Sequence, residues 1–294
     1  MSNTNENRTL RLVFPQWQGG NNPPYFFGAQ LLNWLAPQTD GPVEHVDVDE
    51  PTNTPLQNED GLVARNALLK QLRDARAKIE KHDPEKIVVI GGDCLVDLAP
   101  FAYLNEKYDG ELAILWVDAH PDIMTPEQFE HAHAQVLGNL LGYGDAQFVE
   151  HVKAPIKAQN VCYLGVNDAS DWEQGRMSEL GLRNVSPKQL REEGSTPLIE
   201  WFKSTGAKHL AIHLDLDVLD PELFHSLLFS NVEYDPKMFD GVAKGKLSMR
   251  EVIAALADVS NISDIVGIGV AEYLPWDSLA LKTMLEKLPL IGKA

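Results

Sequence analysis

The chain has 294 residues, of which 44% are hydrophobic, and this is enough for one large α/β domain or two smaller ones. Its formal net charge of -18 argues against nucleic acid and anionic membranes as partners, because both bind basic surfaces. Two cysteines, Cys94 and Cys162, are too few for a disulfide framework, and no apolar run approaches the ~20 residues of a membrane span. The N-terminal residues are polar without an apolar signal core, so we expect a cytoplasmic enzyme or binding protein.

Short apolar runs alternate with helical patterns along the chain. The segment 62–82 has the periodicity of a long amphipathic helix, and the apolar runs have the length of buried strands. Alternating strands and helices favour a mostly parallel sheet that is covered on both faces. The predicted strands are, in chain order, 11–17, 43–50, 86–93, 111–120, 160–168, 208–218 and 263–275.

Two further helices and a long loop are predicted in the second half of the chain. Ser, Pro and Gly stand at helix-boundary positions in 186–194 and 195–206. The mixed stretch 222–247 is predicted to be a loop over the active edge of the sheet. With neither an internal repeat nor a low-complexity linker, residues 1–294 are expected to form one domain.

Asp118, His120 and Asp122 are crowded together where the strand 111–120 should end. Residues two apart on a strand share a face, so the three side chains are predicted to point the same way. Two like charges that close are unfavourable unless a cation lies between them, and a divalent metal ion would supply it. The alternative is a polar loop that caps the strand without any metal.

The same two-residue spacing recurs in Asp215 and Asp217, and Glu272 follows the last predicted strand. Ligands of open α/β sheets bind beyond the carboxyl ends of the strands, where all these side chains would meet. So many buried acids are untenable alone, and two divalent cations that share bridging carboxylates would resolve the conflict. Oxygen-rich ligation suits Mn²⁺, although intrinsic affinities favour Fe²⁺, Co²⁺, Ni²⁺ or Zn²⁺. The alternative is that these acids cap helices and bind no metal.

Four segments resemble the motifs of the arginase/agmatinase (ureohydrolase) family. They are GGDC at 91–94, DAHPD at 118–122, LDLDVLDP at 214–221 and AEYLP at 271–275. The usual forms in the family are GGDH, DAHxD, SxDxDxxDP and a late Glu before xP, in the same order. The resemblance implies a three-layer α/β/α sandwich around a mostly parallel sheet of about eight strands. It also implies a homo-oligomer with a two-manganese centre that hydrolyses guanidino or amidino small molecules.

The resemblance further implies a role for each residue of these motifs. Two carboxylates would bridge the metals, and two further ligands would complete each site. The bridging pair is Asp118 and Asp215; Cys94 and Asp122 belong to one site, and His120 and Asp217 to the other.

Three residues are expected to act on the substrate or the water. Asp217 would orient the attacking water, and Glu272 would pair with the guanidinium, whose fork matches a carboxylate. His133 resembles the family histidine that carries a proton to the leaving amine, with His131 as the competing choice.

Several positions depart from the family pattern. Cys94 stands where the family has histidine: either its thiolate binds and favours Zn²⁺ or Fe²⁺, or it is a buried thiol beside a weakened site. His213 replaces the serine of SxDxDxxDP, and HAQV lacks the glycine and proline of the related segment. Met124 and Ser170 replace polar contacts to the amino-acid end of arginine, which indicates a substrate with a less polar tail.

Two functions from different classes follow. The first is a binuclear-metal hydrolase that cleaves a C–N bond of a guanidino or amidino compound other than arginine. The second is a degenerate, metal-poor family member that serves as a binding or structural protein. The retained acidic cluster favours the hydrolase, because a protein freed from catalysis need not keep so unfavourable an arrangement. A one-zinc fold of the histone-deacetylase type is a third interpretation, which GGDC and DxDxxDP do not favour.

Overall fold

An eight-stranded parallel sheet runs through the middle of the computed structural model, which describes residues 9–292. The strand order is β2-β1-β5-β10-β9-β6-β7-β8, and a separate antiparallel hairpin is formed by β3 and β4. The predicted α/β fold with a parallel sheet is confirmed. The strands are β1 (Thr9–Phe14), β2 (Val43–His45), β3 (Asn58–Glu59), β4 (Leu62–Val63), β5 (Lys86–Gly91), β6 (Leu112–Val117), β7 (Val161–Leu164), β8 (Arg183–Val185), β9 (His209–Asp215) and β10 (Asp264–Ala271).

Helices cover both faces of this sheet. None of the helices within residues 9–292 is both long and apolar enough to cross a membrane. The helices are α1 (Pro24–Leu35), α2 (Arg65–His82), α3 (Leu98–Lys107), α4 (Val136–Leu140), α5 (Ala146–Val149), α6 (Asp171–Leu180), α7 (Pro187–Glu193), α8 (Thr196–Thr205), α9 (Met249–Ser260) and α10 (Trp276–Lys287).

The central strand β6 shows how the two layers of core arise. All six of its residues are buried, and successive side chains point to opposite faces. Leu112, Ile114 and Trp116 pack into a cluster with α2 and α3, whereas the intervening residues pack with α8 and α9. A continuous apolar run is therefore what a strand buried on both faces requires.

Some predicted element boundaries differ from the structure. The helix predicted over 62–82 begins at Arg65, because Leu62 and Val63 pair with the preceding strand of the β3–β4 hairpin. Strand β8 was not predicted, since its three residues are largely polar and lie at the edge of the sheet. Within the described residues, 222–247 contains short 3₁₀ turns and a β-bridge from Leu247 to Leu219. It packs on the segment after β10, where Phe224 stacks on Tyr273.

The strand-alternation argument for Asp118, His120 and Asp122 is wrong. Strand β6 ends at Val117, so all three lie in the loop beyond it, and Asp122 has a left-handed backbone with φ of 52°. Likewise β9 ends at Asp215, and Asp217 lies in a following 3₁₀ turn. Loop geometry, not strand pleating, therefore directs these side chains.

Candidate metal centre

Side chains from four strand ends meet at the carboxyl edge of the sheet. Three groups of residues each place one ligand atom per residue within 4.8 Å of the others. Shared members join these groups into one cluster, which we call the acidic centre. The groups are Cys94, Asp118, His213 and Asp215; then Asp118, His120 and Asp217; and finally Asp215, Asp217 and Glu272.

The DxH and DxD spacings arise from turns that the first aspartate of each pair holds. Oδ1 of Asp118 accepts a hydrogen bond from the backbone N–H of His120 at 2.6 Å. Oδ1 of Asp215 accepts one from the backbone N–H of Asp217 at 2.7 Å. Aspartate commonly bonds the backbone two residues on, and here this turns the second side chain of each pair towards the first.

Asp122 lies beside the acidic centre but belongs to none of its three groups. Asp122 is 4% exposed, and its Oδ2 has no hydrogen-bond partner among the described residues. Burial and the neighbouring Asp118 raise its pKa well above the usual range. A buried carboxylate oxygen without a hydrogen-bond partner is a suitable ligand atom for a cation.

Few positively charged groups lie near the carboxylates of the acidic centre. Burial, together with Asp217, raises the pKa of Asp118 and Asp215, and raises that of Glu272 to about 8. Burial also acts on Asp217, but His120, whose Nδ1 is 2.9 Å from Oδ2, outweighs it and lowers its pKa. Among the ion pairs of residues 9–292, those that involve the centre use only histidines as cations. Divalent cations would relieve this deficit.

Cys94 faces the centre as a thiol. Its Sγ donates a hydrogen bond to Oδ2 of Asp215 at 3.0 Å, and it lies 3.5 Å from Oε1 of Glu272. Burial, followed by the charges of Asp215 and Glu272, raises the pKa of the thiol well above its usual value. Of the two interpretations of Cys94, this geometry favours the buried thiol over the thiolate ligand.

The structure separates the two candidate proton carriers. His133 packs over the loop at Gly20, and its Nδ1 is 3.0 Å from the carbonyl oxygen of Gly19. Burial lowers its pKa to about 4, and the centre's His120 and Asp217 also act on it. His131 instead packs edge-on against Phe129 at 4.9 Å between ring centroids. His133 is therefore the one that adjoins the centre.

Tyr25 also contacts the centre and was not predicted. Tyr25 is 2% exposed and lies beside Glu272; burial and that carboxylate raise its pKa. Helix α1 can bring it there because Gly28 packs directly on the next segment: a Cβ at Gly28 would lie 1.9 Å from the carbonyl oxygen of Tyr273. Glu272 itself has φ of 65°, a left-handed backbone that is uncommon outside glycine and frequent at functional sites.

Divalent metal ions fit these residues. The donor atoms are mainly carboxylate oxygens with imidazole nitrogen, a set that first-row divalent ions accept. Two buried donors of the cluster region, Asp122 Oδ2 and His213 Nε2, have no hydrogen-bond partner among the described residues. The acidic centre is thus a candidate metal centre, and these two atoms are available as ligands.

Comparisons with known proteins agree with the geometry. The model of the arginase family matches residues 28–227. Arginase from Entamoeba histolytica is 24% identical over 212 residues, covering 70% of this chain and 67% of the relative. Arginase from Bacillus subtilis (strain 168) is 29% identical over 176 residues, covering 56% of this chain and 58% of the relative. The chain thus spans 58% and 67% of the lengths of these two relatives.

Solved structures share the fold over almost the whole chain. Entamoeba histolytica arginase in complex with L-ornithine has a TM-score of 0.76 at 19% identity, covering 94% of this chain and 96% of that one. Formimidoylglutamase from Bacillus subtilis has a TM-score of 0.65 at 14% identity, covering 91% and 78%. Proclavaminate amidino hydrolase from Streptomyces clavuligerus has a TM-score of 0.64 at 19% identity, covering 91% and 83%.

Proposed function

The chain belongs to the arginase family, and on that premise we propose that it is a metal-dependent hydrolase of a guanidino or amidino small molecule. The observation that carries the proposal is the convergence of the motif residues Asp118, His120, Asp215, Asp217 and Glu272 in one buried cluster. Such a cluster is unfavourable without cations, and it is retained here at the edge of the sheet where ligands bind.

Two divalent ions are proposed for this centre. Asp118, Asp215 and Asp217 each belong to two of the three ligand groups, and the family motif supports the first two as the bridges. Cys94 and Asp122 would complete one site, and His120 and Asp217 the other. Mn²⁺ is the expected metal, with Zn²⁺ or Fe²⁺ as alternatives if Cys94 binds. The chemistry that such a pair of ions supplies is a water acidic enough to act as a nucleophile near neutral pH.

The protein's own residues would bind the substrate and move the proton. The Glu272 carboxylate matches the fork of a guanidinium or amidinium, and Tyr25 lies buried beside that carboxylate. Asp217, paired with His120, would orient the water. His133, whose Nδ1 lies 3.0 Å from the carbonyl oxygen of Gly19, would carry the proton to the leaving amine.

Arginine is not the expected substrate. The side chain of Ser170 is used within the protein: it accepts a hydrogen bond from the N–H of Glu173 and caps α6. Met124 has no polar group to offer to an amino-acid end. A guanidino or amidino compound with a less polar tail therefore suits the site better. Two of the structural relatives are likewise named for substrates other than arginine.

A metal-poor binding protein is the second candidate, and the observation in its favour is a cysteine, Cys94, at a ligand position where it lies 3.0 Å from Oδ2 of Asp215. Metal analysis of protein purified without added salts, combined with assays of urea, ammonia or amine release from a panel of guanidino and amidino compounds, separates the two. We expect hydrolysis that a chelator abolishes and that Mn²⁺ restores. Binding of these compounds without turnover, after loading with Mn²⁺, Zn²⁺ or Fe²⁺ in turn, would favour the second candidate instead.

A further inference from the structure

His213 is a fully buried imidazole on β9 that none of the proposed catalytic steps uses. Its Nδ1 lies 2.7 Å from Oδ2 of Asp97, and both side chains are 0% exposed. An imidazole that donates from Nδ1 to a carboxylate presents a lone pair at Nε2. This is the arrangement by which carboxylates orient histidines that bind metals.

The surrounding residues hold this imidazole in one orientation. The ring of Trp116, on the neighbouring β6, stacks on it with centroids 3.8 Å apart and an interplanar angle of 16°. On the other side, β10 carries Gly269 opposite His213, and a Cβ there would lie 2.0 Å from the Asp97 carboxylate. Because Gly269 has no side chain, the Asp97 carboxylate has space to reach the imidazole of His213.

The free nitrogen points into the acidic centre. Nε2 of His213 has no hydrogen-bond partner among the described residues, and it lies 3.7 Å from Oδ2 of Asp118. That oxygen is itself held by the indole N–H of Trp116 at 3.0 Å. A separation of 3.7 Å is long for a direct hydrogen bond, but two metal–ligand bonds of about 2.1 Å can span it.

His213 also stands in the same ligand group as Cys94, together with Asp118 and Asp215. Within this group His213 alone offers a nitrogen donor, because the other three residues offer sulfur or carboxylate oxygen. We propose that Nε2 of His213 is a metal ligand of this centre and that Asp97 is the positioning residue that orients it. The inference rests on the metal centre of the proposed function and adds two residues to it.

The competing role for His213 is that of a built-in cation. A protonated imidazole between Asp97 and Asp118 would offset their charge and take the place of a metal ion. The two roles predict opposite effects of removing the ring. Loss of a ligand weakens metal binding, whereas loss of an internal cation leaves the site more negative and strengthens it.

Calorimetric titration of chelator-treated protein with Mn²⁺ and with Zn²⁺ distinguishes the role of metal ligand from that of internal cation. His213→Asn keeps an N–H for Asp97 but deletes Nε2, and we expect at least a tenfold loss of affinity at one site. Asp97→Asn should lower the metal affinity by about 10–100-fold, as is typical when a residue that orients a metal-binding histidine is replaced. Cys94→His combined with His213→Asn should regain affinity, because both positions belong to the same ligand group.

His209→Ser is the matched control. His209 lies at the other end of β9, where its Nδ1 also meets an aspartate, Asp264, at 3.1 Å and its ring also stacks on an aromatic, Tyr108, at 3.8 Å. We expect this variant to bind both metals as the wild type does. A similar loss of affinity there would show a general effect on β9 and would overturn the assignment.

A measurement on the wild type covers the case in which the buried variants do not fold. In protein labelled with ¹⁵N-histidine, the Nε2 resonance of His213 should shift on loading with diamagnetic Zn²⁺. Because Nδ1 of His209 and of His120 also lies beside a carboxylate, the resonance is assigned to His213 by its absence from the spectrum of His213→Asn or, if that variant does not fold, by through-space contacts to the Trp116 ring. Unchanged or tighter metal binding in His213→Asn, or an Nε2 resonance that Zn²⁺ leaves in place, overturns the inference. If hydrolysis persists in that case, the proposed function stands; a wild type that binds no metal overturns both.

Discussion

Sγ of Cys94 lies 3.0 Å from Oδ2 of Asp215, in a hydrogen bond that the thiol donates to the carboxylate. A neutral imidazole at this position would accept a metal without first losing a proton from a buried thiol. We therefore expect Cys94→His to raise bound manganese and manganese-dependent hydrolysis, each by about tenfold. Elemental analysis and initial rates on the same preparations measure both.

Cys162→Ser is the control for this substitution, since Cys162 is the other buried cysteine and lies in the core on β7. It should leave bound manganese and the rate unchanged. If Cys94→His lowers both quantities, Cys94 is itself a functional ligand and the weak-site interpretation is wrong.

Asp215→Ala and Asp217→Ala should each abolish metal binding and hydrolysis. Each carboxylate belongs to two of the three ligand groups, so its loss affects both proposed ions. We expect more than about a 100-fold decrease in kcat, since even residues that only orient a ligand are worth 10–100-fold. Asp220→Asn is a motif-matched control, because Asp220 instead accepts from the N–H of Glu222. Normal turnover in either alanine variant would refute the assigned roles.

L-arginine should be a poor substrate. Ser170 is occupied as the cap of α6, and Met124 offers no hydrogen bond to an amino-acid end. A site without those partners loses its preference for arginine by orders of magnitude. Values of kcat/KM for arginine, agmatine and guanidinobutyrate decide the matter, and the hypothesis fails if arginine has the highest of the three.

Glu251 predicts a pH dependence of stability away from the acidic centre. Its Oε1 lies 2.7 Å from Nε of Arg191, and this contact holds the pKa of Glu251 at about 2, against an ordinary value of 4.5. Because the folded-state pKa is the lower one, the stabilisation is complete above about pH 4.5 and is lost as the pH falls towards 2. Glu251→Gln should therefore lower the free energy of unfolding by about 1 kcal/mol or less at pH 5, and by less at pH 3.

Urea unfolding at the two pH values gives this difference. In an Arg191→Gln background the ion pair is absent, so the effect of Glu251→Gln should be smaller at pH 5. A difference between wild type and variant that grows on acidification would contradict the assignment.

Sequence alone determined the fold class and most of the motif residues at the centre. Strands β5 and β6, predicted over 86–93 and 111–120, can be recognised in the sequence because a strand covered on both faces is apolar at almost every position. The carboxyl ends of parallel strands meet at one edge, so acids after different strands could be expected to converge. What the sequence could not reveal was the reason for the DxH and DxD spacing, which lies in hydrogen bonds from each aspartate to the backbone.

Only the tertiary structure decided the contacts between residues distant in the chain. Tyr25 reaches Glu272, and Asp97 reaches His213, through the packing of α1 and through the space left at Gly269. Neither contact can be predicted from the residues that flank it in the sequence. The distance between the two partners depends on the order of the strands in the sheet. The environment of Cys94 is also set by the tertiary structure. The sequence does not give the protonation state of a cysteine, whereas burial beside Asp215 and Glu272 raises the pKa of this thiol.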